Sequence, residues 1–181
     1  SNIPNIWDTG SLAWNLPHGT YTFEGLDDVK ASTLAALGWG LGAYRFDRYK
    51  NPLTLKTLLQ WPVACDRKVI EQTIEAIFLV RDLINTPAED MGPSELEKAV
   101  CTLAKKFQAK IRVIKGKQLL TKNYPAIHAI GRASDDEPRL LDFTWGKPAH
   151  PKVTLIGKGV CFDTGGLDIK PASGMKLMKK D

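Results

Sequence analysis

The sequence predicts a mixed α/β chain, and three observations carry that expectation. Apolar residues recur at helical spacing over 66–84 and again over 94–107. Between and after these stretches, the runs 111–114, 140–144 and 153–156 are short, apolar and bounded by turn residues, as strands are. The order helix, strand, helix, strand, strand from about residue 85 is that of an α/β sheet domain.

The elements follow in order. Residues 1–25 are punctuated by Pro4, Gly10, Pro17, Gly19 and Gly25 and predict loops. From residue 26, Val29, Leu34, Leu37, Leu41 and Tyr44 fall near helical spacing, with Asp27 and Asp28 at the end where the helix dipole favours acids. Gly38, Gly40 and Gly42 either weaken this helix or let another backbone come close. Residues 47–62 carry Asn51-Pro52 and Trp61-Pro62 and read as a connector. In 66–84, Asp66 is placed to cap. Ile70, Ile74, Ile77, Leu83 and Ile84 make the apolar face, and Pro87 enforces the stop. Ser94 and Glu97 have capping-box spacing ahead of a stripe of Leu96, Val100, Leu103 and Phe107, with Lys105 and Lys106 near the far end. Residues 116–123 suit a short helix, and 126–130 are apolar and ambiguous.

Composition excludes several classes. The chain has 181 residues, 43% hydrophobic and 25% charged, which is globular usage. A chain of this length folds without a disulfide framework. Cys65, Cys101 and Cys161 are odd in number and lack CxxC spacing, so reduced, packed thiols in a cytoplasmic protein are expected. No apolar run approaches the ~20 residues of a membrane span, and no secretory signal pattern opens the chain, so no membrane partner is expected. The net charge is +5, and residues 139–181 hold eight basic and four acidic side chains. That tail lacks the aromatic interleaving of a nucleic-acid track, which argues against a nucleic-acid partner.

The chemistry concentrates in 153–181. An apolar strand at 153–156 would lead into Gly157-Lys158-Gly159, where open α/β sheets place ligands. Asp163, Gly165-Gly166, Lys170-Pro171 and Asp181 follow. The segment fits neither GxxxxGK[ST] nor GxGxxG, so it is not a phosphate loop. His18, His128 and His150 have no partner spacing of the HExxH kind. Taken alone, Met175 and Met178 suit packing, and Lys176, Lys179 and Lys180 suit solvent.

Residues 157–181 read GKGVCFDTGGLDIKPASGMKLMKKD. This stretch resembles the metal-binding signature of the leucyl aminopeptidases, two-metal exopeptidases of the cytosol. That signature has the form GKGVTFDSGG, a short run, K-P, then GM…MK.D. Lysine, aspartate, lysine and aspartate stand at Lys158, Asp163, Lys170 and Asp181, and Cys161 and Thr164 replace the commoner threonine and serine. Upstream, Arg81-Asp82-Leu83-Ile84-Asn85-Thr86-Pro87 is similar to the RDL.N.P motif opening the family's catalytic domain. Leu41-Gly42-Ala43-Tyr44-Arg45-Phe46 resembles its amino-domain LGAYRF segment.

The resemblance implies part of an amino-terminal α/β domain over 1–62, a linking helix over 63–84, and over 85–181 the start of an α/β/α sandwich catalytic domain with a mixed sheet. It implies Lys158, Asp163 and Asp181 as ligands of two divalent ions, Mn²⁺ or Zn²⁺, with Asp163 bridging them. It implies Lys170 as the catalytic residue that polarises the scissile carbonyl, and Met178 with Lys170 as substrate-binding. An ammonium has no lone pair, so ligation requires Lys158 uncharged, whereas Lys170 acts as a cation. Peptide substrates and a homo-hexamer complete the picture. The family's second cluster, of the form NTDAEGR, does not occur here, so the 181 residues alone are expected to be inactive. The competing expectation is a non-catalytic homologue or fragment with a structural, assembly or nucleic-acid-binding role. Retention of all four ionisable signature positions favours the enzyme.

Overall fold

The computed structural model describes residues 5–176 and 178–180. It is a mixed α/β structure that divides into two compact units, Ser1–Asn85 and Thr86–Asp181.

The first unit contains α1 (Leu12–Asn15), β1 (Gly19–Tyr21), α2 (Val29–Gly42), β2 (Thr57–Leu59) and α3 (Arg67–Asn85). Asp28 caps α2 by accepting the Ala31 amide at 2.8 Å, and Asp66 accepts from Val69 at 3.1 Å at the head of α3. Ala36, Leu37 and Leu41 of α2 pack on the fully buried Ile70 of α3, flanked by Ile74, Ile77 and Phe78. Ile70, Ile74 and Ile77 of the expected apolar face of α3 thus join the core of this unit. The glycines of α2 serve close approach. A Cβ on Gly38 would lie 2.0 Å from the Ile6 carbonyl oxygen, and one on Gly42 1.7 Å from that of Gly10. The connector expectation for 47–62 needs correction. Residues 57–59 form β2, parallel to β1 with Thr20 opposite Leu58, and the Thr57 hydroxyl donates to the Ala13 carbonyl.

The two upstream motifs meet inside this unit. Tyr44 donates its hydroxyl to Asp82 at 2.7 Å and accepts from the Asn85 amide nitrogen at 3.0 Å. The Arg81 guanidinium sits 3.7 Å from the Tyr44 ring centroid and donates to the Leu41 carbonyl at 3.2 Å. Burial, and then the neighbouring Asp82 carboxylate, push the Tyr44 phenol above its ordinary pKa.

The second unit contains α4 (Pro93–Lys106), β3 (Lys110–Lys115), α5 (Gln118–Thr121), α6 (Pro125–Gly131), β4 (Arg139–Thr144) and α7 (Ala172–Met175). Strands β3 and β4 pair antiparallel, with Val113 opposite Leu141. Ala104, Ile114 and Leu119 are its buried apolar residues beside Met91.

Three expectations change here. The capping box at Ser94 and Glu97 does not form. Helix α4 starts two residues earlier, with Gly92 at the cap, Pro93 in the first turn, and Glu95 accepting the Gly92 amide at 3.2 Å. Ser94 instead donates its amide and hydroxyl to Asp136, and Glu97 pairs with Arg139. The Arg139 side chain is only 8% exposed and also pairs with Asp136, which ties the start of α4 to the start of β4. The expected stripe of α4 is half-buried, and Phe107 is 49% exposed. Phe107 lies past the last turn, where Gln108 at φ 54° bends the chain away.

Residues 153–156 form no strand. Among the described residues no strand pairs with them, and an unpaired strand leaves its amides and carbonyls without ladder partners. Their side chains are exposed, Leu155 and Ile156 to more than 90%. Among the described residues, no helix is long and apolar enough to cross a membrane.

Candidate active site

The loop 157–171 is folded on itself by its own polar groups. Asp163 accepts the Gly165 amide at 2.8 Å through Oδ1, an Asx turn that sends the chain into two glycines with positive φ, Gly165 at 92° and Gly166 at 68°. The Lys170 amide then donates to the Thr164 carbonyl at 2.8 Å and closes the loop. Gly165 is required at this closure, since a Cβ there would lie 2.2 Å from the Asp168 carbonyl oxygen.

Closure brings the Lys170 ammonium onto the second oxygen of Asp163, and both side chains remain 38% exposed. The Met178 sulfur stands 3.8 Å from the Lys170 nitrogen. The structure thus gathers Asp163, Lys170 and Met178. The hydrogen bond from Lys170 and then the Gly165 amide hold the Asp163 carboxyl below the usual carboxylate range, with a smaller contribution from Lys158. Asp181 lies outside the described residues.

Within the loop, Cys161 is half-buried, and burial pushes its thiol up. All three cysteines are unpaired thiols. Lys179 does not point into solvent as expected. It is half-buried and donates to the Thr86 main-chain carbonyl, and burial presses its pKa down. The one signal for it in the sequence is its place inside the GM…MK.D pattern. Lys176 is exposed, and the Lys180 side chain lies outside the described structure.

A divalent ion of the manganese or zinc type takes oxygen and nitrogen donors, and Asp163 offers one oriented carboxylate. Among the described residues, no three His, Cys, Asp or Glu side chains come together as a metal site. One carboxylate does not hold two dications, so the described residues do not form a complete metal centre. What the arrangement does offer is a cation fixed in direction. Asp163 aligns the Lys170 ammonium, which suits it to stabilise negative charge developing on a carbonyl oxygen.

Known proteins share this fold. Residues 78–181 match the family model described as the cytosol aminopeptidase family, catalytic domain, and residues 1–62 match that of the M17 aminopeptidase N-terminal domain. The crystal structure of a cytosol aminopeptidase from Coxiella burnetii superposes with a TM-score of 0.90 at 49% identity, over 97% of this chain and 38% of that one. The bottromycin maturation enzyme BotP, in complex with Mn, gives a TM-score of 0.70 at 33% identity over 84% of this chain and 33% of that one. A probable cytosol aminopeptidase from Aeropyrum pernix is 34% identical over 160 residues, 87% of this chain and 32% of that protein. The chain therefore spans about a third of the length of these relatives. With the family's two models matched over 1–62 and 78–181 and the fold shared with its solved members, the chain belongs to the cytosol aminopeptidase family.

Proposed function

We propose that the complete protein is a metal-dependent aminopeptidase that releases amino-terminal residues, leucine-type side chains by preference, from peptides. The observation that carries this reading is the closure of loop 157–171, which sets the Lys170 ammonium between Asp163 and Met178 within the segment matching the family's catalytic domain. In this reading Lys158, Asp163 and Asp181 are metal ligands, and Lys170 is the catalytic cation that receives the substrate carbonyl. Met178 lines the space for the first side chain. Two ions, Mn²⁺ or Zn²⁺, would activate water and polarise the peptide bond when bound. The BotP complex with Mn supports the choice of manganese. A cytoplasmic homo-hexamer, with 1–62 and 85–181 as parts of separate domains joined by a linking helix, completes the proposal.

Leucine amide hydrolysis by the full-length protein, assayed with metal content measured in parallel, tests it. Wild type should turn over only with metal bound. Lys170→Ala should lose about 10²–10³ in kcat at unchanged metal content, the usual effect of removing one oxyanion donor. No hydrolysis by the metal-loaded wild type refutes the activity and favours a non-catalytic role. Full turnover by Lys170→Ala refutes the role of that residue.

A further inference from the structure

Lys179 stands apart from the lysine-rich run around it. Its ammonium reaches back 93 residues in sequence to the main-chain carbonyl of Thr86, a residue only 2% exposed. A buried carbonyl requires a donor, and a charged donor makes the stronger bond. The residue before it, Met178, is the one whose sulfur lies 3.8 Å from the Lys170 nitrogen. Both belong to a single 3₁₀ turn, Met178–Lys180, which is too short to hold its own position. Thr86 begins the second unit, next to the 3₁₀ turn Ala88–Asp90 and the anchored start of α4. The bond therefore fastens the turn that carries Met178 to backbone already fixed by other contacts.

We propose that Lys179 is a positioning residue. Seated on the Thr86 carbonyl, it holds Met178 beside the Lys170 ammonium that Asp163 aligns, and so sets the room there for a substrate side chain. The part concerning substrate rests on the aminopeptidase reading above; the part concerning the turn does not.

The test uses the full-length protein with Lys179→Met, which keeps the length and loses the donor, and Lys179→Arg, which restores a cationic donor. Amide hydrogen exchange is followed over 172–180 and over β3 and β4, and kcat and KM are measured for leucine amide and alanine amide. In Lys179→Met, exchange over 172–180 should quicken on the order of tenfold, the loss of one charged hydrogen bond, while β3 and β4 stay protected. KM for leucine amide should rise on the order of tenfold against a smaller change for alanine amide, and Lys179→Arg should recover most of both effects. Unchanged exchange over 172–180 in Lys179→Met overturns the proposal. Equal loss of protection in β3 and β4 overturns it too, because Lys179 would then support the whole unit. A leucine-to-alanine ratio equal to wild type overturns the substrate part. If wild type hydrolyses neither amide, the aminopeptidase reading fails, and the exchange comparison decides the role of Lys179 alone.

Discussion

Gly165→Ala, compared with Gly166→Ala, measures how much the folded loop matters. The two positions are adjacent and both have positive φ, 92° and 68°. At Gly166 a Cβ meets nothing within 4 Å, so alanine there carries only the left-handed backbone cost, about 1–2 kcal/mol. At Gly165 the backbone lies outside even the left-handed helical region, a strain of about 1–3 kcal/mol. The new Cβ would also stand 2.2 Å from the Asp168 carbonyl oxygen and 3.2 Å from the Lys170 amide nitrogen. Backbone atoms do not swing aside as side-chain ends do, so the loop must open and give up the bond from Lys170 to Thr164, about 1 kcal/mol. The Gly165 variant therefore bears about 3 kcal/mol or more, and the closed loop becomes about a hundredfold rarer or worse at 1.4 kcal/mol per factor of ten. In the full-length protein, kcat/KM for leucine amide should fall about 10² or more in Gly165→Ala and about five- to thirtyfold in Gly166→Ala, with the two melting temperatures close. Values of kcat/KM within about threefold of each other would refute the claim that closure of 163–170 aims Lys170.

Two further outcomes follow from the first unit. Gly38→Ala and Gly40→Ala both gain about 0.5–1 kcal/mol of helix propensity, but the Gly38 Cβ would strike the Ile6 backbone at 2.0 Å and the Gly40 Cβ the movable Ile74 Cδ1 at 2.2 Å. Gly38→Ala should lower the stability read from urea unfolding by about 1–3 kcal/mol relative to Gly40→Ala, and equal midpoints would reject the close approach. For Tyr44→Phe, the sign comes from the raised phenol pKa. The folded state holds this proton more tightly than the unfolded state, so the contribution is complete below about pH 10 and is lost as pH rises through the folded value. Urea midpoints of wild type should therefore fall faster than those of Tyr44→Phe above pH 10, and a pH-independent gap between the two would count against the assignment.

Local pattern is legible where local forces decide. Helix α3 needs only its period, the Asp66 cap and the proline after Asn85, and all three are written in sequence order. Helix α4 shows the limit. Ser94 and Glu97 have the right spacing for a capping box, yet each finds a partner 42 residues away, in Asp136 and Arg139. Strand β2 escapes a sequence reading because three residues with two prolines nearby carry no periodicity. It exists through pairing with β1, and that partner is not visible locally. The reverse holds at 153–156, where an apolar run promises a strand but no described strand pairs with it. At the site, Asp163 and Lys170 are legible by type and offset, and their meeting through an Asx turn and two glycines is not. Lys179 is hidden because one lysine in a basic run gives no sign of which ammonium turns inward.

The segments that carry the resemblance do different physical work. Residues 41–46 and 81–87 supply Leu41, Tyr44, Arg81, Asp82 and Asn85, and these satisfy one another within the first unit. Their pattern reports packing, because the Arg81 guanidinium lies over the Tyr44 ring and the Tyr44 phenol is held by both Asp82 and Asn85. In 157–178 the side chains of Asp163 and Lys170 bond each other yet stay more than a third exposed. An exposed ion pair adds little to stability, so the need to fold does not account for a loop with two positive-φ glycines that brings this pair together. A motif that packs and a motif proposed for chemistry look alike as strings of letters. They separate by what the perturbation moves. Changes at Tyr44 should shift unfolding and leave turnover per folded molecule alone, whereas changes at Lys170 should do the opposite.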